Sequence, residues 1–246
     1  MAFERPGATP GTSPEPAPTP PLEPVAEPSG GGTPMAMQLQ VLSTEHWSLL
    51  ASRSLAWNES FARAGMFLSA LSGAIVALAL VAQASEFGDA FRIFALVILP
   101  VVLFIGLTTL LRLGIANYHD GVCVLGMNRI RGAYVERVPE VERYLVMSPH
   151  DDADSVWASM GMDPTYPIGV TLMASAPTLI AVLNAVLTAA IIGIGAIQLE
   201  ADAAVAWVSA IVGFVLAFGL QAWFGRREAM RGRSELFTPI NPAPRR

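Results

Sequence analysis

Four stretches of this chain, 64–84, 93–111, 176–199 and 203–224, carry no Asp, Glu, Lys, Arg or His. At 1.5 Å per residue, helices of about 19 to 24 residues cross a hydrocarbon core about 30 Å thick. Inside lipid every backbone N–H and C=O has to be satisfied within its own segment, so isolated runs of this kind become helices. The pattern predicts an all-α fold: a four-helix transmembrane bundle made of two hairpins, at 64–111 and 170–225. Pro100 falls within the second run and predicts a kink, and Pro177 falls in the first turn of the third, where proline is tolerated.

Outside these runs the rhythm changes. Trp47, Leu50, Ser54, Trp57 and Phe61 recur at steps of three and four, with Glu45, His46, Arg53, Asn58, Glu59 and Arg63 between them. Residues 35–63 therefore read as an amphipathic helix before the first span, lying at the membrane interface or docked on the soluble part. The stretch 112–169 is the sizeable soluble loop. Its first part continues the second helix to about Tyr134, and Pro139 breaks it. Ser148-Pro149-His150-Asp151-Asp152 then reads as a helix start with Ser148 as N-cap and Asp151 at the capping-box position. Gly161 reads as the stop of that short helix, which holds Trp157. Residues 1–34 are dense in Pro and end in Gly30, Gly31 and Gly32, which predicts a disordered, solvated tail. They lack the apolar core of a secretory signal.

Charge orients the spans. All 15 basic Lys or Arg residues are Arg, the usage of a GC-rich genome. Arg53 and Arg63 precede the first span, Arg112, Arg129, Arg131, Arg137 and Arg143 lie in the long loop, and Arg226, Arg227, Arg231 and Arg233 open the 226–246 tail. The two short turns, 85–92 and 200–202, hold Arg92 against Glu86, Asp89, Glu200 and Asp202. Arginine resists translocation, so both termini and the long loop are expected in the cytoplasm of a cell-membrane protein. A net charge of −5 excludes the basic face of a nucleic-acid binder. The single Cys123 excludes an intrachain disulfide.

Small residues at four-residue spacing mark packing faces: Gly65, Ser69, Gly73 and Ala77; Ala185, Ala189 and Gly193; Ser209, Gly213 and Ala217. Such faces let helices approach closely, within the bundle or between copies in a homo-oligomer. Asn184, deep in the third run, is expected to bond a neighbouring helix.

Two places in the loop carry candidate chemistry. His119-Asp120 and His150-Asp151-Asp152 bring imidazoles beside carboxylates, the donor types that hold a divalent metal and activate water. The dipeptide resembles the hallmark of the HD phosphohydrolases, but that fold needs a helical domain well beyond this loop, and capping accounts for the second cluster. No cofactor is therefore expected. Arg129 and Arg131 in NRIRGAY are candidates for an anionic headgroup or phosphate, against a topogenic role in which they pair with Glu59, Glu136, Glu140 or Glu142.

The segments WNESFARAGMFLSALSGAIVALALVAQA, MNRIRGAY, PEVERYL and SPHDD, spanning roughly residues 38 to 235, resemble a group of uncharacterised four-span membrane proteins of actinobacteria. The resemblance implies a fold and no activity. Three function classes follow from the residues. The first is a membrane protein acting by assembly or by protein and lipid interaction, with a cytoplasmic protein partner reached through 1–63 or 112–169. The second is a subunit of an oligomeric channel or transporter, lined by Asn184, Thr188, Ser69 and Ser72. The third is a metal-dependent hydrolase using the His-Asp pairs.

Overall fold

A computed structural model describes residues 34–161, 167–173, 175–236 and 239–243, so the predicted disordered tail lies outside the described residues apart from Pro34. Those residues form helices and no strand: α1 (Met35–Ser85), α2 (Asp89–Arg137), a 3-10 turn (Pro139–Tyr144), α3 (Ala153–Ser159), α4 (Ile168–Met173), α5 (Ala176–Gln198) and α6 (Ala203–Leu236). α1, α2, α5 and α6 are each long and apolar enough to cross a membrane. Their outer surfaces are apolar rather than polar: Val97, Phe104 and Val208 are all more than 60% exposed. A chain that turns such side chains outward is built for lipid as its solvent.

The pre-span helix is not a separate element. α1 runs unbroken through 51 residues, a rod of about 77 Å, and α2 matches it with 49. Each is about two and a half times the length of a bilayer crossing, so the two continue together beyond the charge-free runs as a paired stalk. α2 passes through Pro100 as one continuous helix. The turn between the rods, 86–88, places Glu86 and Phe87 in the left-handed region.

What holds the rods together is a seam of alternating four- and three-residue steps. On α2 it reads Ala95, Leu99, Val102, Gly106, Thr109, Leu113, Ala116, Asp120, Cys123, Met127 and Ile130, every one of them buried. On α1, Ser60, Phe67 and Ala74 follow seven residues apart. This 3.5-residue period is the coiled-coil repeat. The seam carries on without a change of rhythm from the apolar runs into the stalk.

The four long helices make a row rather than a closed bundle. α1 packs on α2, α2 on α5 and α5 on α6, with slight α2–α6 contact. The main core joins Phe67 and Ala74 of α1, Leu99, Val102 and Leu113 of α2, and Ile180 and Leu187 of α5. A second core lies in the stalk, where Val124, Leu125 and Met127 meet Val156 of α3, with Leu49 packed against them. Glycine sets the closest approaches. A Cβ at Gly106 would collide with Asn184 Oδ1 and stand 2.7 Å from Phe67 Cε2, and one at Gly193 would meet Ala210 Cβ at 3.3 Å. At Gly213 it would collide with the Ile192 side chain.

The small-residue faces thus divide. Ala185 is fully buried, Gly193 and Gly213 sit where α5 and α6 meet, and Ala189, Ser209 and Ala217 are half-buried beside them. Gly65, Ser69 and Gly73 face outward, and a Cβ at Gly65 or Gly73 would meet nothing within 4 Å. Ala77 is half-buried. α1 packs instead through Phe67, Leu71, Ala74 and Leu78, because the apolar seam offers more contact than the glycine face.

Candidate functional site

The stalk is where the ionisable groups gather. Asp120 occupies a seam position and is only 2% exposed. Arg53, from the facing stretch of α1, binds it through Nε and, at 3.2 Å, through Nη2. Trp57 Nε1 donates to the same carboxylate at 2.9 Å. A buried carboxylate left alone would lose several kcal/mol of solvation. Here three donors from one face of α1 replace the water, and they fix which turn of α1 stands opposite which turn of α2. At the far end Arg137 repeats the tie, donating to Gln38 Oε1 at 3.2 Å and to the Ala133 carbonyl at 2.8 Å.

About nine residues further along α2, some 14 Å, lies a second constellation. Asp151 is completely buried. Its Oδ2 accepts from Arg129 Nε at 2.9 Å and from the Ile240 amide at 2.7 Å, and its Oδ1 accepts from the Asn241 amide at 2.8 Å. In return the Asp151 amide donates to the Asn241 carbonyl. Asp152 takes the Ala243 amide at 3.1 Å while capping α3 through the Ser155 amide. Residues 239–243 therefore form a strap that returns from α6 and closes on the corner between α2 and α3. Gly132 lets the strap and corner come close, since a Cβ there would stand 2.8 Å from the Pro149 carbonyl oxygen and 3.0 Å from Asn241 Nδ2.

The electrostatics follow from these contacts. Burial pushes the Asp151 carboxyl up, but the two strap amides and the Arg129 guanidinium outweigh it and hold the group below the ordinary carboxylate range. Asp152 shows the same balance, with the Ala243 amide and Ser155 overcoming burial. Burial, with the Asp120 charge adding to it, raises the Cys123 thiol. Burial and then the Arg131 charge lower His46.

Each predicted site residue has a place in this arrangement. His119 and Asp120 point to different partners: Asp120 to α1, and His119 Nδ1 to Cys123 Sγ at 3.6 Å. His150 contributes its backbone carbonyl to Asn128 Nδ2, at 2.9 Å. Among the described residues no three His, Cys, Asp or Glu side chains gather as a metal would require. The N-cap of the short helix is Asp152 rather than Ser148. Ser148 Oγ instead accepts from the His150 amide, a local turn that sets up the cap. Gly161, at φ +84°, follows α3 as its stop.

Arg129 and Arg131 take different partners. Arg129 goes to Asp151, and Arg131 Nη1 donates to Asn128 Oδ1 at 2.7 Å. Glu59, one of their expected partners, is taken by Arg63 and Arg112. Of the aromatic stripe, Trp47 and Phe61 are exposed, and Trp57 is drawn inward by Asp120. In the spans, Asn184 Nδ2 donates to Gln221 Oε1 of α6 at 3.3 Å, and Thr188 bonds the Asn184 carbonyl on its own helix. Ser69 and Ser72 lie on the outward face of α1, away from them.

Sequence reasoning missed the Arg53–Asp120–Trp57 tie, Gln221 and the strap. The first had a signal, a carboxylate standing at a four-three seam position of α2. The strap had none, because nothing in 239–243 forms a periodic element. Comparison with known proteins finds no match to this chain among protein-family models, curated proteins or solved structures.

Proposed function

We propose that this chain is a non-catalytic membrane protein whose stalk and strap present an interaction surface on the cytoplasmic side. It stands with the four-span actinobacterial membrane proteins that its segments resemble. The observation that carries the reading is the use made of the carboxylates. Asp120, Asp151 and Asp152 are spent on Arg53, Arg129, backbone amides and a helix cap, which leaves the His-Asp pairs as joints of the scaffold. A rigid rod of two long helices, closed by a strap, suits a protein that works by holding others in place. The arginine distribution supports a cytoplasmic stalk with the turns at 86–88 and 200–202 outside. Two hairpins entering from that side are part of the same reading.

The test joins topology to activity. Cysteines introduced singly at positions 87, 150 and 201, in a Cys123→Ser background, are labelled from outside with a membrane-impermeant reagent. Labelling at 87 and 201 but not at 150 is expected. Purified protein in sealed vesicles is then assayed for ion leak. Leak above that of protein-free vesicles, or loss of bound metal on joint replacement of His119 and His150 by Ala, overturns the scaffold reading.

A further inference from the structure

Arg129 and Arg131 are engaged, but another arginine stands where a membrane protein meets lipid headgroups. The last apolar residue of the α2 run is Leu111, and Arg112 follows it; on α1, Glu59 precedes the run by five residues, about 7.5 Å. Between the rods at this level is a groove of about 380 Å³, lined from α1 by Ser52, Leu55 and Glu59 and from α2 by Arg112, Ile115 and His119. Headgroup layers are about 5–8 Å deep on each side of the hydrocarbon core, so Glu59 and Arg112 fall within one when the spans are inserted.

We propose that this groove binds the phosphate of an anionic phospholipid, with Arg112 as its principal contact. The inference rests on the membrane reading above. Its first support is the guanidinium. Arg112 gives one nitrogen to Glu59, while its Nε–H is shielded from solvent and has no acceptor. The remaining N–H groups of the guanidinium, on a side chain 36% exposed, present the planar fork from which phosphate oxygens accept. The second support is charge. Glu59 stands between Arg63 and Arg112, two cations to one anion, and His119 adds a further donor at the outer end. The third is the wall. Leu55 and Ile115 are 70% and 57% exposed beside these charges, and Ile115 continues into the outward apolar stripe of Leu111 and Phe104, 69% and 67% exposed. A headgroup seated at Arg112 would lay an acyl chain along that stripe. Basic pockets between spans on this side of a membrane are the usual seats of anionic lipid.

The experiment measures lipid-dependent melting of the full chain in mild detergent. Phosphatidylglycerol is expected to raise the melting temperature by about 3 °C or more over phosphatidylcholine. Arg112→Gln should remove most of that difference. Because Arg112→Gln also frees Glu59, Ile115→Trp serves as a second variant: it fills the groove from its wall and adds no charge that would compete for Arg112. Arg227→Gln, on α6, should keep the full lipid effect. Equal shifts from the two lipids, or a lipid effect retained in both groove variants, overturns the proposal. If glycerol 3-phosphate or inorganic phosphate alone gives the whole effect, the groove takes a free phosphate and the lipid assignment falls. Failure of the protein to insert into vesicles of either lipid would instead remove the membrane reading itself.

Discussion

Replacing Asp151 by Asn tests whether the strap is held by charge. The carboxylate is wholly buried and accepts three donors at 2.7–2.9 Å, two of them strap amides. Asp151→Asn keeps one acceptor oxygen and sets an NH₂ against a donor where the other stood. Each hydrogen bond to a charged group contributes about 1.5–3 kcal/mol net, so losing one and weakening the others removes about 2–4 kcal/mol. Little of that should appear as global unfolding. The strap can detach and rehydrate its amides, and Arg129, with 37% of its side chain exposed, can turn to water. The loss is local, and about 2 kcal/mol corresponds to roughly 30-fold faster opening. Hydrogen exchange of a C-terminal peptide covering Ile240, Asn241 and Ala243 should therefore accelerate at least about 30-fold, with only a small fall in melting temperature. Glu140→Gln, on the exposed 3-10 turn, is the control. A strap that exchanges at the wild-type rate in Asp151→Asn would show that the carboxylate does not hold it.

Acid should release the same strap late. Asp151 and Asp152 both lie below the ordinary carboxylate range, so their stabilisation is complete above about pH 5 and lost only as pH falls through the lowered values, below about 4; strap exchange that rises between pH 7 and 5 contradicts this. A double-mutant cycle of Arg53→Ala and Asp120→Ala should return a coupling of about 1–3 kcal/mol from melts in one detergent, and a value under about 0.5 kcal/mol would mean that the pair sets no register. Gly106→Ala should lower stability by about 1–3 kcal/mol, because its Cβ meets Asn184 and Phe67. Gly73→Ala, where a Cβ meets nothing, should leave the chain's own stability unchanged, and equal shifts at the two glycines would refute the packing described.

The charge-free runs made the four long helices legible, because lipid leaves a segment without charges only one regular form. The continuity of α2 past Arg112 was legible to about Tyr134, but that of α1 was harder to see, since Arg63 interrupts the apolarity but not the seam. Reading polarity separates a span from its extension; reading the four-three steps joins them. Within one chain the glycine face of α1 is not the one that packs, for a related reason. Gly65 and Gly73 mark where a close approach is allowed, whereas Phe67 and Leu71 decide where contact is made. Arg129 and Arg131, two apart on α2, take different partners. Their partners, Asp151 and Asn128, were out of reach of any local rule in the case of Asp151, which a turn and a 3-10 segment carry back to α2.

The strap has a mechanical meaning. Within the spans α5 is fastened to α2, and outside them residues 239–243, reached through α6, are fastened again near Gly132. Gly132 lies 21 residues beyond Leu111, about 32 Å along the rod. Two bodies joined at points that far apart cannot hinge at one without releasing the other. A bilayer that thickens or thins and so tilts α5 and α6 against the α1–α2 rod loads the outer fastening through a long lever. While the strap holds, the row tilts as one piece; when it yields, the backbone amides of Ile240, Asn241, Ala243 and Asp151 lose their acceptors to water. A force that arises in lipid thus reaches a set of hydrogen bonds well outside it.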